Sequence, residues 1–73
     1  MWTPNFASAR WIGNDLAFNA TTDAGIVRYV VRARRLRDTA QRTGAEALHS
    51  NILHLKSEMR HASPTSDGVI TIA

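Results

Sequence analysis

Between Asp23 and Arg42 the chain reads DAGIVRYVVRARRLRDTAQR, and nowhere else do charged and apolar residues divide so cleanly. At about 100° per residue, Arg28, Arg32, Arg35 and Arg42 fall within one narrow arc together with Thr39. Ile26, Tyr29, Val30, Ala33, Leu36 and Ala40 fall on the other side. This period predicts an amphipathic helix over 23–42, with one face for a core and one for anions or water. The β-branched cluster Ile26, Val27, Val30 and Val31 taken alone suggests a strand, but the segment is long for a strand and its polar residues keep a helical period. Asp23 suits the N-cap, where its carboxylate meets orphan N–H groups and the positive end of the helix dipole.

The flanking segments follow the same logic. Thr3-Pro4 is a good helix opening, and Trp2, Phe6, Ala9, Gly13, Leu16 and Ala20 then line one helical face. A first helix over about 4–19 is expected, weakest at Gly13-Asn14-Asp15, where two shorter helices are the alternative. Thr43-Gly44-Ala45-Glu46 is a T-x-x-E capping box. It opens a third apolar series, Ala45, Leu48, Ile52, Leu55, Met59 and Ala62. That series predicts a helix over 44–62, ending ahead of Pro64; the competing account is one continuous helix from Asp23 to His61 that tolerates Gly44. Residues 63–73 then form a linker and a β-prone tail. The tail, Val69-Ile70-Thr71-Ile72, is expected to be flexible or to add as a short strand to a sheet edge of a partner or a second copy.

The fold predicted on these grounds is all-α. It is a single helical domain over 1–62, either a three-helix bundle or a long helical hairpin with a short N-terminal helix. A chain of 73 residues buries only roughly 60% of its unfolded surface, and with no cysteine it lacks disulfide and thiolate-metal support. Extra burial is therefore expected from self-association or from docking on a larger partner. The stripe Ala45, Leu48, Ile52, Leu55 and Met59, with Leu53 on the far side, offers more apolar surface than one neighbouring helix covers, so a homodimer is expected.

Function is read from charge. Nine Lys plus Arg face six Asp plus Glu for a net +3, a modest excess despite a pI near 10.7. Six arginines, however, lie between Arg28 and Arg42 against the single acid Asp38. Arg28, Arg32, Arg35, Arg42 and Thr39, with Trp11 beside them, are the candidate partner or phosphate contacts. An acidic protein surface is the leading partner, and nucleic acid is the alternative. The bland reading of the stripe is a solvated helix face, and that of Trp2, Phe6 and Trp11 is core anchoring.

No catalytic residue, cofactor or metal site is assigned. The serines lack His and Asp partners at a motif spacing, and no glycine-rich phosphate loop is present. His54, Glu58 and His61 share a helical flank, but a zinc site needs a further ligand from elsewhere. No signal segment or membrane span is apparent, so a cytoplasmic location is the default expectation. The chain is thus expected to be a non-enzymatic adaptor, inhibitor or accessory regulator, of the kind phages and mobile elements encode. A nucleic-acid-binding regulator and a small structural subunit of a larger assembly are the rivals.

Overall fold

The structure, a computed structural model, describes residues 1–62 and 67–73. It overturns the all-α expectation. The chain forms a four-stranded mixed sheet with one α-helix on one face, in the order β1 (Trp2–Ile12), β2 (Asp15–Thr22), β3 (Gly25–Val31), a 3₁₀ turn (Ala33–Arg35), α1 (Gly44–His61) and β4 (Val69–Ile72). Neighbours in the sheet follow chain order; β1, β2 and β3 pair antiparallel, and β4 pairs parallel with β3. A parallel neighbour requires a crossover, and α1 lies within it.

The segment expected as a first helix is a β-hairpin. Ile12 pairs with Asp15 across the two-residue turn Gly13-Asn14, with Gly13 at φ 62°, a conformation glycine adopts without steric cost. In β1, Trp2, Pro4 and Phe6 alternate toward the helix side. The register with β2 then shifts between Asn5 and Arg10, after which Ala9 and Trp11 take over that side. Trp2, Phe6, Ala9 and Trp11 all pack on the core. The irregularity inserts a three-residue step into a period of two, and this step imitates helical spacing.

The expected helix over 23–42 is likewise absent. Thr22 pairs with Gly25 across Asp23-Ala24, and Gly25–Val31 is a strand. Length had argued against a strand, but three elements share the segment: β3, the 3₁₀ turn and the loop 36–43. Asp23 accordingly stands in a hairpin turn and caps no helix.

Helix α1 matches the sequence expectation. Thr43 is its N-cap, with the reciprocal box to Glu46 complete: the Glu46 N–H donates to Thr43 Oγ1 at 3.2 Å and the Thr43 N–H to Glu46 Oε1 at 2.9 Å. Its buried face is Gly44, Ala47, Leu48, Asn51, Leu55 and Met59. Of these, Ala47, Leu48, Leu55 and Met59 meet Leu16, Phe18 and Ala20 of β2, Tyr29 and Val31 of β3, and Ile70 and Ile72 of β4 in one core. Phe18 stacks on Tyr29 with centroids 5.1 Å apart.

The stripe assigned to self-association is therefore spent on the chain's own sheet. Leu48, Leu55 and Met59 are fully buried, Ala45 and Ile52 are half-buried, and Leu53 alone among them stands 87% exposed. The tail is a strand of the same sheet, with Tyr29 beside Ile70 and Val31 beside Ile72. Residues 63–66 of the expected linker lie outside the described residues. No described helix is long and apolar enough to cross a membrane.

Candidate binding surface on the uncovered sheet face

Since α1 covers one side of the sheet, strand alternation assigns a second set of side chains to the other. The register fixes the rows: Thr3, Thr21 and Ile26; Asn5, Asn19, Arg28 and Val69; Arg10, Ala17, Val30 and Thr71; and Ile12 with Asp15. No described element packs over them. Ala17 is buried between its neighbours, Val30 and Val69 are half-buried, Ile12 and Ile26 are exposed, and Arg10 and Arg28 are exposed.

Arg32, one residue past β3, continues the alternation. Its Nε lies 3.3 Å from Asp15 Oδ2, while Asp15 Oδ1 accepts the Ala33 N–H at 2.9 Å. Asp15, the one acidic residue in these rows, is thus already engaged. Arg10 and Arg28 have no carboxylate partner among the described residues. The face carries an apolar centre, uncharged Asn and Thr around it, and an excess of guanidinium.

The six expected contact residues do not form one stripe. Arg28 and Arg32 share the uncovered face, because a spacing of four puts two residues on one side of a strand as well as of a helix. Arg35 belongs elsewhere: its Nη2 sits 3.0 and 2.9 Å from the two carboxylate oxygens of Glu58, and its Nη1 donates to the Ala73 carbonyl oxygen at 3.0 Å. Trp11, Thr39 and Arg42 meet at a third place. Trp11 Nε1 donates to the Arg42 carbonyl at 3.1 Å, and Trp11 and Thr39 line a depression of about 360 Å³ with Gly13, Asn14, Ala33 and Leu36. Arg10 was missed by the sequence reading; alternation through Arg10 and Ile12 was its only signal.

The loop behind that depression is held at both ends, by Trp11 at Arg42 and by the buried Asn51 at Arg37. Within it Asp38 and Gln41 adopt positive φ of 53° and 60°, which non-glycine residues take up only when surrounding contacts enforce it. On α1, His54 Nε2 lies 3.2 Å from the Arg35 carbonyl and His61 Nδ1 lies 2.7 Å from the Ser57 carbonyl, with Glu58 engaged by Arg35. Among the described residues no group of three His, Cys, Asp or Glu is placed to hold a metal ion. Glu46 has its carboxyl pKa lowered, first by the Thr43 backbone N–H, then by the Thr43 side chain and nearby Arg42.

The fold and surface together describe a small two-layer domain with one covered and one open sheet face. Comparison of the chain with protein-family models, curated proteins and solved structures finds no match.

Proposed function

We propose that this chain is a non-enzymatic protein-binding module, an adaptor, inhibitor or accessory regulator, that lays its uncovered sheet face over an acidic partner surface. A basic helix plays no part in this reading; the strands present the arginines. The observation that carries it is the make-up of the face: Arg10, Arg28 and Arg32 around the half-buried apolar Val30 and Val69, with the lone acid Asp15 already engaged. An apolar centre within a polar rim, enriched in Arg, is the make-up of protein interfaces.

Nucleic acid is the less favoured partner because single strands are held on aromatic platforms. Here Trp2, Phe6, Trp11, Phe18 and Tyr29, all the aromatics of the chain, belong to the helix side.

A photo-reactive residue at Ile26, on the open face, tests this against one at Leu53, on the outer side of α1. In extract of the native host the Ile26 probe is expected to give a discrete adduct with a protein other than this chain that the Leu53 probe does not. Arg28→Glu should reduce it at least tenfold. Equal adducts from both probes overturn the reading. So does retention of DNA or RNA whose salt dependence flattens when Arg28 is replaced, which assigns the face to phosphates.

A further inference from the structure

The two edges of the sheet are built differently. On β1, Pro4 has no N–H, the register breaks between Asn5 and Arg10, and the Ala7 N–H is taken by Asn5 Oδ1 at 3.1 Å. Ser8 Oγ donates to the Asn5 carbonyl at 2.7 Å and accepts the Asn19 N–H at 2.8 Å, standing in for a ladder partner. Proline and irregular pairing are devices that keep other strands off an exposed edge. The opposite edge has neither proline nor a register shift, although its Val69 N–H is held by Asp67 Oδ1 much as Ala7 is held by Asn5. β4 is Val-Ile-Thr-Ile, uncharged, without proline or bulge, and among the described residues it pairs with β3 alone.

The direction of its backbone groups follows from one bond. The Ile72 carbonyl accepts the Arg32 N–H at 2.9 Å, so the polar groups of Ile72, and of Ile70 two residues earlier, point into the sheet. Those of Thr71 point out.

We propose that β4 pairs antiparallel with β4 of a second copy about a two-fold axis at Thr71, making one continuous eight-stranded sheet. A two-fold contact uses the same patch on both chains. Keeping like faces together restricts the register to one centred on a residue, because a slip by one reverses every side chain. A register centred on Ile70 makes Val69–Thr71 its hydrogen-bonded pairs and so relies throughout on the Val69 N–H, which already donates to Asp67 Oδ1 at 3.1 Å; centred on Thr71, only the flanking Val69–Ala73 pair calls on it. Centring on Thr71 lets the two Thr71 residues exchange both backbone bonds, with their side chains as a favourable Thr–Thr pair on the open face. Ile70 then lies opposite Ile72 of the second copy on the helix side.

A chain this small gains more from a partner than a larger one does. Both helices fall on one side of the joined sheet and both uncovered faces on the other, so Arg28 and Arg32 of each copy contribute to one surface. The pairing does not depend on what that surface binds: loss of the partner adduct described above leaves the dimer in place.

Light scattering and sedimentation of the full chain across micromolar concentrations test it. The expected mass is that of two chains, and Thr71→Pro should yield one-chain mass with the far-UV spectrum unchanged, since the N–H it removes points away from β3. Thr71→Cys is the second variant, in a protein with no cysteine of its own. Opposed residues of a hydrogen-bonded pair have Cα atoms about 5.5 Å apart, within disulfide reach, so mild oxidation should join two chains through Cys at 71 and leave a Thr3→Cys control on the β1 edge unjoined. One-chain mass for the unaltered protein overturns the proposal. A two-chain mass that persists in Thr71→Pro, or a Thr3→Cys variant that joins as fast as Thr71→Cys, does so as well.

Discussion

Asn51 holds Arg37 by both of its backbone groups: the carboxamide oxygen accepts the Arg37 N–H at 2.8 Å, and the amide nitrogen donates to the Arg37 carbonyl at 2.9 Å. The same nitrogen donates to the Ala47 carbonyl one turn back on the helix, and the side chain is fully buried. A carboxamide supplies one acceptor and two donors, and all three are used. Asn51→Ala therefore leaves Arg37 without partners for its backbone groups and opens space under the loop. A loss of about 2–3 kcal/mol is expected, read from urea denaturation. Asn51→Asp should cost at least as much at neutral pH, since a carboxylate oxygen then faces two carbonyls.

Gly44 decides how closely α1 approaches β1. A Cβ built there lies 2.7 Å from the Ala9 carbonyl oxygen and 2.8 Å from both Ala9 C and Arg10 N. All three are backbone atoms in a strand, with little room to retreat. Helix propensity alone predicts that Gly44→Ala stabilises by up to about 1 kcal/mol; the contact predicts the opposite sign. Gly44→Ala is expected to destabilise by about 1–3 kcal/mol, and a rise in the denaturation midpoint would contradict the close approach.

Glycine 44 also illustrates what the sequence discloses. Its place beside a capping box was legible, because Thr43 and Glu46 act over three residues, and so was the helix that follows, whose stripe through Leu48, Leu55 and Met59 is continuous. The reason glycine stands there was not legible, since it lies in contact with a strand far back in the chain. In β1, the step from Phe6 to Ala9 across the irregularity converted a period of two into apparent helical spacing. In β3, Arg28 and Arg32 share a face under either period, so half of the arginine argument outlived the element it was attached to. Arg35 and Arg42 were carried off by the 3₁₀ turn and the loop, which no periodicity announces. Asn51 carries no signal of its role in the sequence; its partner lies 14 residues earlier, and only the folded chain brings them together.

Tyr29 joins the strands to the helix through its hydroxyl. Trp2 Nε1 donates to that oxygen at 2.9 Å, and the hydroxyl donates to the Met59 carbonyl at 3.1 Å, while the ring stacks on Phe18 and meets Trp2 edge-on at 6.1 Å. Tyr29→Phe keeps the ring contacts and removes the relay. A destabilisation of about 1–2 kcal/mol is expected, with a shift in tryptophan fluorescence that Trp11→Phe leaves in place. Tyr29→Leu should cost more, because the stacked pair is lost as well.

The Glu46 carboxylate gives the fold a defined acid sensitivity. The Thr43 backbone N–H, the Thr43 side chain and Arg42 hold its folded pKa below the ordinary value of 4.5. A carboxyl whose pKa is lower folded than unfolded contributes stability that is fully present above the unfolded value and disappears as pH falls through the folded one. The ionised capping box therefore supports α1 at neutral pH and weakens in the acid range beneath 4.5. Glu46→Gln keeps an oxygen able to accept the Thr43 N–H but has no charge to lose. Its melting temperature should lie below that of the unaltered chain at pH 7, and the gap should close as the acid range is entered. Thr43→Ala removes the hydroxyl of the same box and should lower stability by about 1 kcal/mol at neutral pH. Parallel melting curves for Glu46→Gln and the unaltered chain across the acid range would show that the carboxylate's charge is not what the box relies on.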